Sequence, residues 1–114
     1  MNSGNSTFRV RELIGNSNAT LPAFGQIIFE AAKLYVERRQ SITIDFTDVH
    51  QLTESFIRSS IGKLVSIHPE ETHLVKVTGL VKKEWETDIK NAIKHELNPY
   101  EAAFSQQRLK DIFI

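Results

Sequence analysis

The stretch SITIDFTDVHQLTESFIRSSIGKLVSI, residues 41–67, sets an apolar strand directly before a polar turn and an amphipathic helix. In its first part, Ile42, Ile44 and Phe46 alternate with Ser41, Thr43 and Asp45, the two-residue period of a strand with one face against a core. From Phe56 the apolar residues Phe56, Ile57, Ile61, Leu64 and Val65, with small Ser60 among them, follow the spacing of a helix laid on a sheet. Between the two, residues 47–55 concentrate hydroxyls and carboxylates where the first amides of the helix lack partners. A functional edge is expected there.

Working outward, Phe8 and Val10 alternate with Thr7, Arg9 and Arg11, which predicts a half-exposed strand whose charges blunt an edge. Gly15-Asn16-Ser17-Asn18 reads as a loop, and Thr20 followed by Leu21-Pro22 predicts an N-cap and a helix over residues 21–38. That helix is expected to bury Phe24, Ile27, Ile28, Ala31 and Tyr35, leaving a second stripe, Phe29, Ala32 and Val36, for the C-terminal segment or another chain to cover. Leu74 to Thr78 predicts a third strand, stopped at Gly79. Residues 81–97 predict a helix facing inward through Val81, Trp85, Ile89, Ala92, Ile93 and Leu97. Asn98-Pro99-Tyr100-Glu101 predicts one further helix.

The alternation of strands and helices implies an α/β fold with crossover connections. The expected division is a leader over residues 1–6, a domain over 7–97 and a C-terminal helical extension over 98–114 packed on it.

The residues Ile42 to Val49, then Thr53-Glu54-Ser55-Phe56 and Ile61-Gly62-Lys63-Leu64, resemble the STAS-like domains, bacterial anti-sigma-factor antagonists and their relatives, and most of all a branch in which Ser-Phe opens the helix. The resemblance implies a small mixed sheet with helices packed mainly on one face. In typical antagonists the turn reads Asp-Ser-Ser-Gly and its first Ser is phosphorylated. Laid on it without gaps, Thr53 falls on the Asp, Glu54 on that Ser, Ser55 on the second Ser and Phe56 on the Gly. The resemblance further implies a non-catalytic regulatory module that docks a protein partner of the ATPase or kinase type through residues 47–63. The candidate site is Asp48, Thr53, Glu54, Ser55, Phe56, Arg58, Ser59 and Gly62. Glu54 then reads either as a permanent switch charge or as a carboxylate placed by the helix dipole. Gly62 is expected on the outer side of the helix, where close approach by another backbone accounts for a glycine.

Composition narrows the classes. The 114 residues carry 14 Lys plus Arg against 14 Asp plus Glu, so no net field draws nucleic acid. With no cysteine, neither a disulfide framework nor a thiolate metal site is expected. No apolar run reaches the roughly 20 residues of a membrane span, and a cytoplasmic location without cofactor or metal is the expectation. The histidines His50, His68, His73 and His95 lack metal-pair spacing. The alternative function is a small nucleotide- or phosphate-binding enzyme using Asp45, Asp48, His50 and Ser55. A homodimer through the C-terminal segment or the first long helix is also left open.

Overall fold

The computed structural model describes residues 5–97 together with 112 and 113. Five short strands and five helices follow one another along it: β1 (Asn5–Arg9), α1 (Val10–Ile14), β2 (Asn18–Ala19), α2 (Pro22–Glu37), β3 (Ser41–Asp45), β4 (Gln51–Leu52), α3 (Glu54–Ile57), α4 (Lys63–Ile67), β5 (Val75–Thr78) and α5 (Glu84–Glu96). A π-helical turn, Arg58–Gly62, joins α3 to α4 without a break, and a 3-10 turn, Pro69–Leu74, leads into β5.

β3 is the central strand, between β1 and β5, and β2 pairs with β4 in a separate two-stranded ribbon. Every pairing among the described strands is parallel. The sheet is therefore parallel where a mixed one was expected, because each strand of the main sheet is carried to the next by a helical crossover. In register, Phe8, Ile44 and Val77 form one row and Ile42 and Val75 another. These rows face the helices. The adjoining rows, Thr7-Thr43-Lys76 and Arg9-Asp45-Thr78, face the other way.

The α3-to-α4 helix lies between α2 and α5 and touches both. Phe46, Phe56, Ile57, Ile61, Leu64, Ile28, Trp85, Ile89 and Ile93 share one core with the strand rows, and Phe24 packs against it. The core organisation predicted from residues 41–67 is what the chain adopts.

The π turn has a cause in the sequence. Phe56, Ser60 and Leu64 form one row at four-residue spacing, and Ile57, Ile61 and Val65 form another; all six are buried. On a regular α-helix a four-residue step overshoots a full turn by roughly 40°, so two such rows drift off the core face. The wider turn corrects the drift, with the Lys63 amide reaching back to the Arg58 carbonyl. Hydroxyls serve the loosened carbonyls: Ser60 donates to Phe56 O at 2.7 Å, and Ser59 to Ser55 O at 2.9 Å and Phe56 O at 3.1 Å.

α2 corrects the expected face. Gly25, Ile28, Ala32 and Val36 point inward, while Ile27 is 42% and Tyr35 37% exposed. α2 has more apolar residues than one face can bury, and close approach to the neighbouring helix decides which face wins. A Cβ on Gly25 would collide with Ser59 Oγ and lie 2.7 Å from the Phe56 carbonyl, so only the Gly25-Ala32 side fits against the π turn. The stripe assigned to the C-terminal segment is thus held by the domain itself. Residues 98–111 lie outside the described residues, but Ile112 is fully buried and Phe113 forms a parallel bridge with Val77, on the far edge of the sheet from β1.

Smaller elements also differ. β1 begins at Asn5, inside the stretch read as leader, and Val10 and Arg11 belong to α1, which Gly15 closes in the left-handed region at φ 67°. The N-cap position of α2 is Leu21 and makes no side-chain cap. Thr20 instead offers its carbonyl to Thr53.

Candidate functional site

The turn between β3 and α3 is fixed from both ends. Asp45 Oδ1 accepts from the Thr47 amide at 2.9 Å and the Thr47 hydroxyl at 2.6 Å, an Asx turn that ends β3. Gly79, at φ 79°, closes over it; a Cβ there would lie 2.6 Å from both Asp45 Oδ1 and the Thr47 amide. Glycine is required at that spot. Asp48 takes the left-handed conformation, φ 66°, which Asp tolerates better than most residues, and Val49 then drops into the core.

Thr53 fastens the other end. Its hydroxyl donates to the Thr20 carbonyl at 2.9 Å and accepts from the Phe56 amide at 3.4 Å. One side chain therefore caps α3 and ties it to the segment entering α2.

The predicted site residues separate into two groups. Asp48, Glu54, Ser55 and Arg58 are exposed, and Arg58 pairs with Glu54 at 3.0 Å across one helical turn. Phe56 is fully buried, stacked edge-on against Phe46; Thr53 is half-buried as the cap, and half-buried Ser59 is turned against Gly25. Gly62 corrects its expected place: it is buried, and a Cβ there would lie 3.3 Å from Glu96 Cγ on α5. The glycine serves helix packing within the chain, because the π turn rotates it toward α5.

Ser55 makes no hydrogen bond through its hydroxyl among the described residues, whereas the hydroxyls of Thr53, Ser59 and Ser60 are all engaged. The outward group is thus one carboxylate and guanidinium pair, one free hydroxyl beside it, and Asp48 on the preceding turn. Among the described residues no base is hydrogen-bonded to the Ser55 hydroxyl.

The four residues of the enzyme alternative do not line one cleft together. Asp45 and Asp48 line one cleft of about 150 Å³ at the C-terminal end of the main sheet, with Arg9, Arg11, Glu12 and Thr47. His50 and Ser55 are not among its lining residues, and Asp45 is already committed to Thr47, with Arg9 Nε 3.9 Å from its other oxygen. Among the described residues no group of three or more His, Cys, Asp or Glu is placed to hold a metal ion.

A second polar feature escaped the reading of the sequence. Lys63 donates to Gln26 at 2.7 Å, Gln26 to Glu30 at 2.7 Å, and Lys33 pairs with Glu30 at 3.0 Å, linking α4 to α2 across the ring of Phe29. Only the facing of α2, which Gly25 decides, brings these residues together. The donors make Glu30 a stronger acid: the Lys33 hydrogen bond first, then Gln26, hold its pKa below the ordinary glutamate value.

A family model described as "STAS-like domain of unknown function (DUF4325)" matches residues 23–85, more than half of the chain. The chain belongs to that family. The matched part of this STAS-like domain runs from the first turn of α2 to Trp85 in α5, and so holds β3, the capped turn, the π turn and β5. β1 precedes it. No curated protein and no solved structure matches the chain. No helix among the described residues of this STAS-like domain is long and apolar enough to cross a membrane.

Proposed function

We propose that this STAS-like domain is a non-catalytic regulatory module that docks a protein partner through Asp48, Glu54, Ser55 and Arg58. The observation that carries the reading is the division of one helical end into two sides. Its inner side, Thr53, Phe56 and Ser60, is tied down by a cap, a ring contact and a back-bonded hydroxyl. Its outer side offers a free hydroxyl next to an ion pair that is open to solvent. A rigid scaffold presenting adaptable polar groups suits recognition. Resemblance to anti-sigma-factor antagonists supplies the partner class, a regulator of the ATPase or kinase type.

Ser55 is the hydroxyl in the turn that a kinase would use, because Thr53 is committed to the cap. A phosphate there adds about 1.5 to 2 negative charges beside Glu54, competes for Arg58 and changes the docking surface locally. The test is quantitative mass spectrometry of protein isolated from its host, read for phosphate at Ser55, beside a thermal-shift screen with nucleotides and divalent metals. The module reading expects no stabilisation by nucleotide or metal. A rise in melting temperature with either favours the cleft of Asp45 and Asp48 instead.

A further inference from the structure

We infer that β1 is the contact edge of a two-fold homodimer, in which β1 of each copy pairs antiparallel with β1 of the other, centred on Thr7. This goes beyond the docking turn and rests on no part of it.

Among the described residues the outer edge of β1 has no strand paired to it, and its one charge is Arg9. β1 is the outermost described strand on its side of the sheet, and an open groove of about 440 Å³ runs along it, lined by Thr7, Phe8, Arg9, Glu12 and Leu13. Sheet edges that stay single are usually guarded by proline, a bulge or an inward-pointing charge. β1, Asn5-Ser6-Thr7-Phe8-Arg9, has none of these on its helix-facing side, which carries Ser6 and Phe8. Its one charge, Arg9, stands at the end.

The flank beside the groove carries apolar side chains, joined to it through one ring contact. Phe8 packs edge-on against Tyr35 at 5.4 Å, Tyr35 and Leu34 share the adjoining recess with Arg38 and Gln40, and Leu13 and Leu34 are 40% and 49% exposed. A stable interface takes roughly 800 Å² from each partner, more than a five-residue strand supplies, so this apolar shelf is the part that makes the contact large enough.

Charge selects the occupant. The border carries both signs, with Arg9 paired to Glu12 at 3.2 Å and Glu37 beside Arg38, and the whole chain has a formal net charge of zero. Such a border neither draws a strongly charged partner nor repels its own copy, and an isologous contact needs that self-complementarity. Register follows from the same reasoning. Centring on Thr7 pairs all five residues and sets Arg9 opposite Asn5, whereas centring on Arg9 opposes two guanidinium groups.

The full chain is tested by sedimentation velocity and by thiol crosslinking, for which the absence of cysteine leaves a clean background. Thr7→Cys, oxidised with oxidised glutathione, is expected to form an intermolecular disulfide much faster than Ser66→Cys on α4, because residues facing each other at the dyad bring their Cα atoms within disulfide reach. The unmodified chain is expected to sediment at twice its monomer mass, and both Thr7→Lys and Leu34→Glu, at exposed positions, to return it to a folded monomer by circular dichroism. A monomer throughout, equal crosslinking of the two cysteine variants, or a dimer that survives both substitutions overturns the inference.

Discussion

Gly25 and Ser59 meet where α2 crosses the π turn, so closely that a Cβ on Gly25 would fall on the serine hydroxyl and 2.7 Å from the Phe56 carbonyl behind it. The hydroxyl is itself bonded to the Ser55 and Phe56 carbonyls. One glycine therefore sets both the facing of α2 and the space in which the π turn sits.

Gly25→Ala is expected to destabilise the fold by about 1 to 3 kcal/mol, the usual cost of overpacking, despite a helix-propensity gain of about 1 kcal/mol. Urea unfolding measures it. Adding Ser59→Gly should recover part of the loss and no more, because the Phe56 carbonyl cannot move aside.

Thr53→Ala removes the cap of α3 and the link to Thr20 together. A loss of about 1 to 2 kcal/mol is expected from the cap, read as a lower melting temperature. Thr53→Ser keeps the hydroxyl and should keep most of the stability.

Gly79→Ala forces a side chain into the left-handed region and against Asp45 and Thr47. A destabilisation above about 1 kcal/mol is expected, again by urea unfolding. The substitution also tests whether the Asx turn positions Asp48.

Glu30 is held below the ordinary glutamate pKa by Lys33 and then by Gln26. A depressed folded-state value contributes stability that is present above the unfolded-state pKa and lost as pH falls through the folded one. The group is fully exposed, so solvent screening keeps the contribution small. An NMR titration of the Glu30 carboxyl should show the depressed value in the wild type and a higher one in Lys33→Gln.

The fold was legible where pattern and length agree. Ile42, Ile44 and Phe46 alternate long enough to announce a strand, and the two four-residue rows from Phe56 to Val65 announce a helix on a core. Those rows also carried the signal of the π turn, in a spacing that an α-helix cannot hold in place. The facing of α2 was not legible. Its apolar residues surround more than half the helix, and the choice among them rests on a contact between Gly25 and a serine far along the chain. β2 and β4, two residues each, are too short to leave a period. In the candidate site, Glu54, Ser55 and Arg58 are named by the turn and the family register, and the structure adds only their exposure and the Arg58–Glu54 pair, whereas the burial of Gly62 depends on the π turn and cannot be read from helical spacing.

The central claim, a docking surface at the outer side of the capped turn, is tested most directly by quantitative affinity capture from the native host. Wild type is compared with Ser55→Arg, Arg58→Glu and a control, Glu84→Gln, at an exposed position on α5. The account predicts one protein retained by wild type and control and lost from both turn variants, all four chains having the same melting temperature within about 2 °C, as surface changes worth under about 0.5 kcal/mol allow. The same retained set for every chain would contradict it.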